Sequence, residues 1–309
     1  MLCVHLIHRI PRHTRETPVS TFTVIINKKS GSAEEARRKA VADAFARMNL
    51  DARIVLVDGA DIHKTAEQAA AAGHSLVAGG GDGTVGSVAS VAVKSGSTFG
   101  VVPLGTLNHF AKDAGIPLEI DAAVAVIAAG QVAALDSGEL NGRTFVNNAS
   151  LGFYARIVRE RQIEQRKGHA KWIAFAIGLV RAWIGYRQIR VRMTVDGQPV
   201  DRRTPFIFIG NGQYKAEGLD LGRRVSITTG HLWIYLAPEC SRLEMMVLLL
   251  RALAGRLTPD VKLEEFVATE VTIQRAPRGI AVAADGELVS TSPPIRCLTN
   301  PGSLRTLVP

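Results

Sequence analysis

The chain has 309 residues, 47% apolar and 21% charged, which suffices for one large domain or two ordinary ones and excludes wholesale disorder. Its formal charge is +9, and the stretch from Leu151 to Arg192 holds nearly all of it, with ten basic residues against Glu160 and Glu164. Charge confined to one block beside apolar residues, not spread over a groove interleaved with aromatics, argues against nucleic acid and for an anionic membrane surface. No window of eighteen consecutive apolar residues occurs, so no transmembrane helix is expected. Residues 1–19 read as an N-terminal extension: His5 and His8 interrupt the apolar stretch, and no small-residue cleavage pattern follows. Cys3, Cys240 and Cys297 lie far apart without CxxC spacing and read as free thiols in a reducing, cytoplasmic compartment.

From about residue 20 to 134 strands and helices alternate. Val24–Ile26 is a short apolar run, and Ser32 with Glu35 forms a capping box opening a helix through Met48. Ala52–Val57 reads as a strand, Ile62–Ala72 as a helix closed by Gly73, and Ser75–Ala78 as a third strand. A helix is expected near Val85–Val93, then the strand Phe99–Leu104 and a short helix after Asn108. This alternation implies a mostly parallel sheet of the nucleotide-binding type.

After Leu135 the pattern becomes mainly antiparallel β, a sandwich or a barrel. Strands are expected at Phe145–Asn148, Ile189–Val195, Phe206–Ile209, Val225–Thr228, Leu232–Leu236, Leu263–Ile273 and Ile280–Ala284. Asp196-Gly197 and Asp285-Gly286 mark hairpin turns. Two helices are expected, at Lys171–Tyr186 and Ser241–Ala254.

The strongest chemical signal is Leu76–Thr84, a buried strand that ends in Gly79-Gly80-Gly81-Asp82-Gly83-Thr84. A turn without side chains lets phosphate oxygens reach backbone N–H groups, and the following helix N-terminus favours negative charge. Asp82 is a candidate to hold magnesium against those phosphates; a plain tight turn is the competing reading. No G-x-x-x-x-G-K-[ST] is present, so this is not a P-loop. Gly81, Gly83 and Gly86 satisfy G-x-G-x-x-G, but no acidic residue closes the next strand, which disfavours dinucleotide oxidoreduction.

Gly80–Thr84 together with Pro103-Leu104-Gly105-Thr106-Leu107-Asn108 resembles the catalytic domain of diacylglycerol kinases, a family that includes bacterial soluble lipid kinases and is related to sphingosine and ceramide kinases. Phe145–Gly152, Gly210-Asn211-Gly212, Asp285-Gly286-Glu287 and Asn300–Leu304 extend the resemblance over nearly the whole chain. It implies an N-terminal α/β nucleotide-binding domain with a mostly parallel sheet (20–134) and a C-terminal antiparallel β-sandwich domain for the lipid (135–298). Residues 299–309 would return to the first domain, and ATP would lie in the cleft. By motif match, Asn27, Ser30, Gly31, Gly80, Gly81, Asp82, Gly83, Thr84, Thr106 and Asn108 would surround ATP. Asp82 and Asp136 would serve Mg2+, and either Asp285 or Glu287 would be the general base, with Asp82 also catalytic.

The implied activity is transfer of the γ-phosphate of ATP to a lipid hydroxyl, diacylglycerol or a similar lipid alcohol. Rival readings are an NAD kinase-like enzyme and a catalytically silent lipid- or nucleotide-binding protein. The chain departs from the family pattern at Gly86, Ser87 and His109 and at Val57, and Thr229 stands where some relatives place a structural magnesium ligand, so loss of that ion is expected. In the helix Lys171–Tyr186, Trp172, Phe175, Leu179 and Trp183 form an apolar stripe widened by Ile173, Ile177, Val180 and Ile184, with Arg181 opposite. Two readings stay open for it: a surface that docks peripherally on an anionic membrane, or a helix packed on the sandwich. Self-association as a homodimer is also left open.

Overall fold

The computed structural model describes residues 14–15, 21–28, 34–214, 224–253, 263–277 and 279–309. Cys3, Ser30, Gly31, the Ser32 half of the expected capping box and most of the N-terminal extension lie outside the described residues. The chain divides into two units, one ending at Leu135 and resuming at Gly302–Pro309, the other Asp136–Pro301.

The first unit contains β1 (Thr14–Arg15), β2 (Phe22–Asn27), α1 (Glu34–Arg47), β3 (Ala52–Val57), α2 (Ile62–Ala71), β4 (Ser75–Gly80) and α3 (Asp82–Ser95). β5 (Phe99–Pro103), α4 (His109–Asp113), α5 (Ile120–Ala129) and the start of β6 (Gln131–Leu140) complete it. β3, β2, β4 and β5 are parallel neighbours in that order, with Ile26 opposite Gly79 and Gly80 opposite Pro103. β2, β4 and β5 are buried almost end to end, as parallel strands covered by helices on both faces must be. Val24, Ile26, Val77 and Val102 pack with Val41 and Phe45 of α1 and Val124 and Ile127 of α5. α5 had no counterpart in the sequence reading. Thr306 pairs in parallel with Phe99, so the chain's end adds a strand to this sheet.

In the second unit, β7 (Arg143–Phe145), β8 (Asn148–Gly152), α6 (Phe153–Arg166) and α7 (Lys171–Ile184) come first. β9 (Ile189–Val195), β10 (Gln198–Thr204), β11 (Phe206–Asn211), β12 (Leu232–Leu236), α8 (Arg242–Leu253) and β13 (Glu264–Ala268) follow. β14 (Glu270–Arg275), β15 (Val282–Ala284), β16 (Glu287–Leu288) and β17 (Ile295–Leu307) close the series. One antiparallel sheet runs β10-β9-β14-β17 and the other β13-β12-β11-β8-β15-β16. Ile189, Val191 and Met193 of the first sheet and Ile207, Ile209, Leu232 and Ile234 of the second share one buried core, which makes a sandwich.

Four sequence expectations change here, the first being the strand expected at Phe145–Asn148, which the structure divides into the end of β7, a bend at Val146 and Asn147, and the start of β8. Leu263–Ile273 is two strands in different sheets, because Thr269 marks a corner. The Asp196 carboxylate, in the Asp196-Gly197 turn, accepts the N–H groups of Thr269 and Glu270. Val225–Thr228 is not a strand; only an isolated bridge, Tyr214 to Arg224, stands beside it. α6, absent from the sequence reading, packs along α7.

The contact between α6 and α7 explains which side of α7 is inside. Ala174, Gly178 and Ala182 form its buried stripe, and a Cβ on Gly178 would lie 2.8 Å from the Arg161 backbone nitrogen. Phe175 and Leu179 flank that stripe against Phe153, Tyr186 and Met245. The expected apolar stripe is therefore divided: Trp172, Ile173, Val180 and Ile184 point outward, 74%, 54%, 55% and 61% exposed. Arg181 reaches back to the buried Glu164, which also holds Lys167 and His169. The hydrogen bond from Lys167, with the charges of Arg181 and Lys167, keeps the Glu164 carboxyl below its ordinary pKa. In α8 Met245 is buried and Val247 exposed.

Candidate active site

β3 and β4 flank β2 on opposite sides, so the chain switches direction across the sheet at β2, and a crevice opens at the carboxyl ends of such strands. Asn27, the Gly81–Thr84 turn and the Leu104–Asn108 loop all leave the sheet at that edge. The two loops touch through backbone. A Cβ on Gly105 would lie 2.4 Å from the Gly81 Cα, and one on Gly80 would lie 2.5 Å from the Thr84 hydroxyl. The Leu104 N–H donates to the Gly80 carbonyl at 3.1 Å.

α3 starts at Asp82 with Gly81 as N-cap, so no side chain caps it. The first N–H groups of a helix have no acceptor within it, and such an uncapped start is a place where an anion can bind. Asp82 Oδ1 accepts the Phe110 N–H at 3.2 Å, which leaves Oδ2 without a protein partner among the described residues. Asn108, in the left-handed region at φ 50°, exchanges two 3.0 Å hydrogen bonds with the Gly105 peptide group. It shapes the loop, while Thr106 is exposed beside it. Gly105→Ala is expected to force the two loops apart and weaken ATP binding at least about tenfold. Gly96→Ala, at the far end of α3 and at φ 70°, is the control: it should cost stability through its left-handed backbone yet leave titrated ATP affinity unchanged, because it touches neither loop.

The second unit carries the carboxylates. Asp285 and Gly286 have φ 47° and 74°, as a two-residue turn between β15 and β16 requires. Asp285 is half-buried, and its Oδ2 accepts the Val146 N–H at 2.8 Å. Its Oδ1 accepts those of Asn147 and Asn148 at 2.8 and 3.2 Å. Burial pushes the Asp285 carboxyl up to about 6, against the opposite pull of these three donors and of Arg224. At neutral pH it stays ionised. Glu287, two residues on, is exposed; Arg143 donates to its Oε2 at 2.7 Å, and its Oε1 has no protein partner among the described residues.

The tripeptide Val146–Asn148 is gripped from both sides. Asp285 takes its amides, and the buried Arg224 donates to the Val146 and Asn211 carbonyls and to Asn147 Oδ1. The Asn211 amide donates to the Val146 and Asp136 carbonyls, and the Tyr214 hydroxyl to the Asn147 carbonyl. Arg161 of α6 donates to the Gly286 carbonyl at 3.0 Å. Asp136 is buried in the same network, its Oδ2 accepting the Gly230 N–H at 2.6 Å. Sequence reasoning missed Arg143, Arg161, Tyr214 and Arg224. No local pattern marks them, because each acts on a segment distant in the chain.

Both halves of the chain match known protein families. The family model described as the diacylglycerol kinase catalytic domain matches residues 21–140, and that of the YegS C-terminal NAD kinase beta sandwich-like domain matches 147–308. A probable YegS-like lipid kinase of Pseudomonas aeruginosa is 31% identical, over 93% of each chain.

The chain belongs to the YegS-like branch of the diacylglycerol kinase family. As a member it is a phosphotransferase that moves phosphate from ATP to an alcohol group of a lipid. A probable lipid kinase YegS of Escherichia fergusonii is 27% identical, over 86% of this chain and 89% of its own. The crystal structure of a diacylglycerol kinase from Bacillus anthracis has the same fold, with TM-score 0.71, 20% identity and coverage of 95% of this kinase and 99% of that chain.

Proposed function

We propose that the kinase phosphorylates diacylglycerol or a closely similar glycerolipid alcohol, with Glu287 as general base and Asp285 as the residue that positions it. The observation that carries the assignment is the contrast between two carboxylates in one turn. A base needs a reachable lone pair. Both Asp285 oxygens hold backbone N–H groups, whereas Glu287 keeps a free oxygen at the surface. In this reading Glu287 accepts the hydroxyl proton as the lipid oxygen attacks the γ-phosphorus and the bond to ADP breaks.

The uncapped start of α3 and the interlocked Gly81 and Gly105 loops support phosphate binding in the first unit, with Asn27 and Thr106 at the same edge. No group of three or more acidic, His or Cys side chains suited to a metal occurs among the described residues. That fits magnesium carried on nucleotide phosphates, which needs one or two carboxylates and otherwise phosphate oxygens and water. Asp82 Oδ2 would hold it, and the ion would offset charge developing on the phosphates. Asp136, engaged with Gly230, supports the Asn211 network from behind.

The acceptor resides in a bilayer, so we place the working enzyme peripherally on an anionic membrane. No helix among the described residues is long and apolar enough to cross one. The buried free thiols Cys240 and Cys297 support a reducing, cytoplasmic setting.

The test is phosphate transfer from labelled ATP with Mg2+ to diacylglycerol, monoacylglycerol and sphingoid bases in mixed micelles, with NAD as the aqueous acceptor. Label in diacylglycerol is expected, and loss of transfer in Asp82→Ala with the fold intact. Label in NAD alone would move the enzyme to the NAD kinase-like reading, and unchanged turnover in Asp82→Ala would remove Asp82 from the phosphate site.

A further inference from the structure

α7 turns the wrong way round for an ordinary amphipathic helix. Its small residues, Ala174, Gly178 and Ala182, are inside because α6 approaches too closely for anything larger, and while Phe175 and Leu179 pack beside them, Trp172, Ile173, Val180 and Ile184 are left outside. Trp172, Ile173, Val180 and Ile184 are each more than half exposed, and Ala176 between them is exposed too. At 100° per residue these positions fall within one third of the helix circumference. No charged side chain lies on that face. A continuous apolar face of this kind marks an interaction surface.

The charges around the face identify the partner. Arg166, at the end of α6, and Arg187, just beyond α7, are exposed and have no ion-pair or hydrogen-bond partner among the described residues. They bracket a helix of 14 residues, about 21 Å of apolar surface with a cation at each end. Lys167 and Arg181 both turn to Glu164 and share its one carboxylate. A second copy of the chain would bring the same positive block against this one, and like charge disfavours such a self-complementary interface. An anionic headgroup layer over an acyl interior satisfies both features at once, with Trp172 at the level where indole rings settle.

We propose that the outward face of α7 lies in the plane of an anionic membrane, with Trp172, Ile173, Val180 and Ile184 immersed and Arg166 and Arg187 on lipid phosphates. This rests on the lipid-kinase reading for its purpose, but its test does not. The full chain is floated with vesicles of phosphatidylcholine, with and without about one third phosphatidylglycerol, at low and high salt. The wild type should bind the anionic vesicles, more weakly as salt rises. A W172S/I173S/V180S/I184S variant should lose at least about tenfold in partitioning, since each side chain taken out contributed buried apolar area. An R166E/R187E variant, altered only at exposed positions, should lose binding to anionic vesicles alone and lose its salt dependence.

Equal flotation of the serine variant and the wild type, with both folded by circular dichroism, would overturn the proposal. So would a wild-type dimer that becomes a monomer in the serine variant with flotation unchanged. Micelle assays separate this from the catalytic reading: no transfer to any lipid alongside the expected loss of flotation would sink the acceptor assignment and leave the docking face standing.

Discussion

Glu287→Gln is expected to lower kcat about a hundredfold or more with ATP affinity and melting temperature unchanged. The substitution keeps the shape of the side chain and removes its basicity. Among the described residues its carboxylate pairs only with Arg143, and both partners are about half exposed, so losing the pair should cost less than about 1 kcal/mol. No hydrogen bond of the Val146–Asn148 network among the described residues involves the Glu287 side chain, so the turn should remain in place. Single-turnover kinetics at saturating ATP would report the chemical step directly. Turnover within about threefold of the wild type would exclude Glu287 as the base.

Asp285→Ala should damage stability and turnover together. It leaves the N–H groups of Val146, Asn147 and Asn148 without their acceptor, at about 1–3 kcal/mol for each one water cannot reach. It also puts alanine at φ 47°, where a β-carbon costs about 1–2 kcal/mol that aspartate and asparagine largely avoid. Because the site is half-buried, part of the loss is recovered by solvent, and roughly 3 kcal/mol is expected to remain, lowering the melting temperature by about 5–10 °C. Asp285→Asn keeps the backbone conformation and the oxygen that serves Asn147 and Asn148, so it should fall between. The pair of results decides the roles: Glu287 moves the rate alone, Asp285 moves both. If Asp285→Asn is dead yet as stable as the wild type while Glu287→Gln remains active, the roles are exchanged.

The elements that were legible in the sequence are those with a local cause. β2, β4 and β5 are each built around a short apolar run, and the Gly79–Thr84 and Leu104–Asn108 stretches can hardly be anything but turns. The Asp196-Gly197 and Asp285-Gly286 turns were legible for the same reason, since both residues of each need positive φ. α6 was missed because its sequence is crowded with arginine and glutamine and buries only Phe153, Ala155, Ile157, Val158 and Glu164. A real capping box also passed unread: the Ser241 N–H donates to Glu244 at 2.6 Å, and Glu244 N–H donates back to the Ser241 hydroxyl at 3.3 Å, opening α8.

Composition, the glycine turn and the combination of short motifs were enough to determine the fold class, the turns that end β4 and β5 and the kinase family. All of these depend on residues near one another in the chain or on backbone conformations that few residue types tolerate. Only the tertiary structure separated Asp285 from Glu287, because their environments come from Val146–Asn148 and Arg143, nearly 140 residues away. Only it revealed Arg224, whose partners are set by which strands meet. It alone also decided which side of α7 faces out. Helical periodicity shows that a helix has apolar residues around it, but which of them are buried depends on how closely the neighbouring helix can approach, and Gly178 against Arg161 fixes that distance.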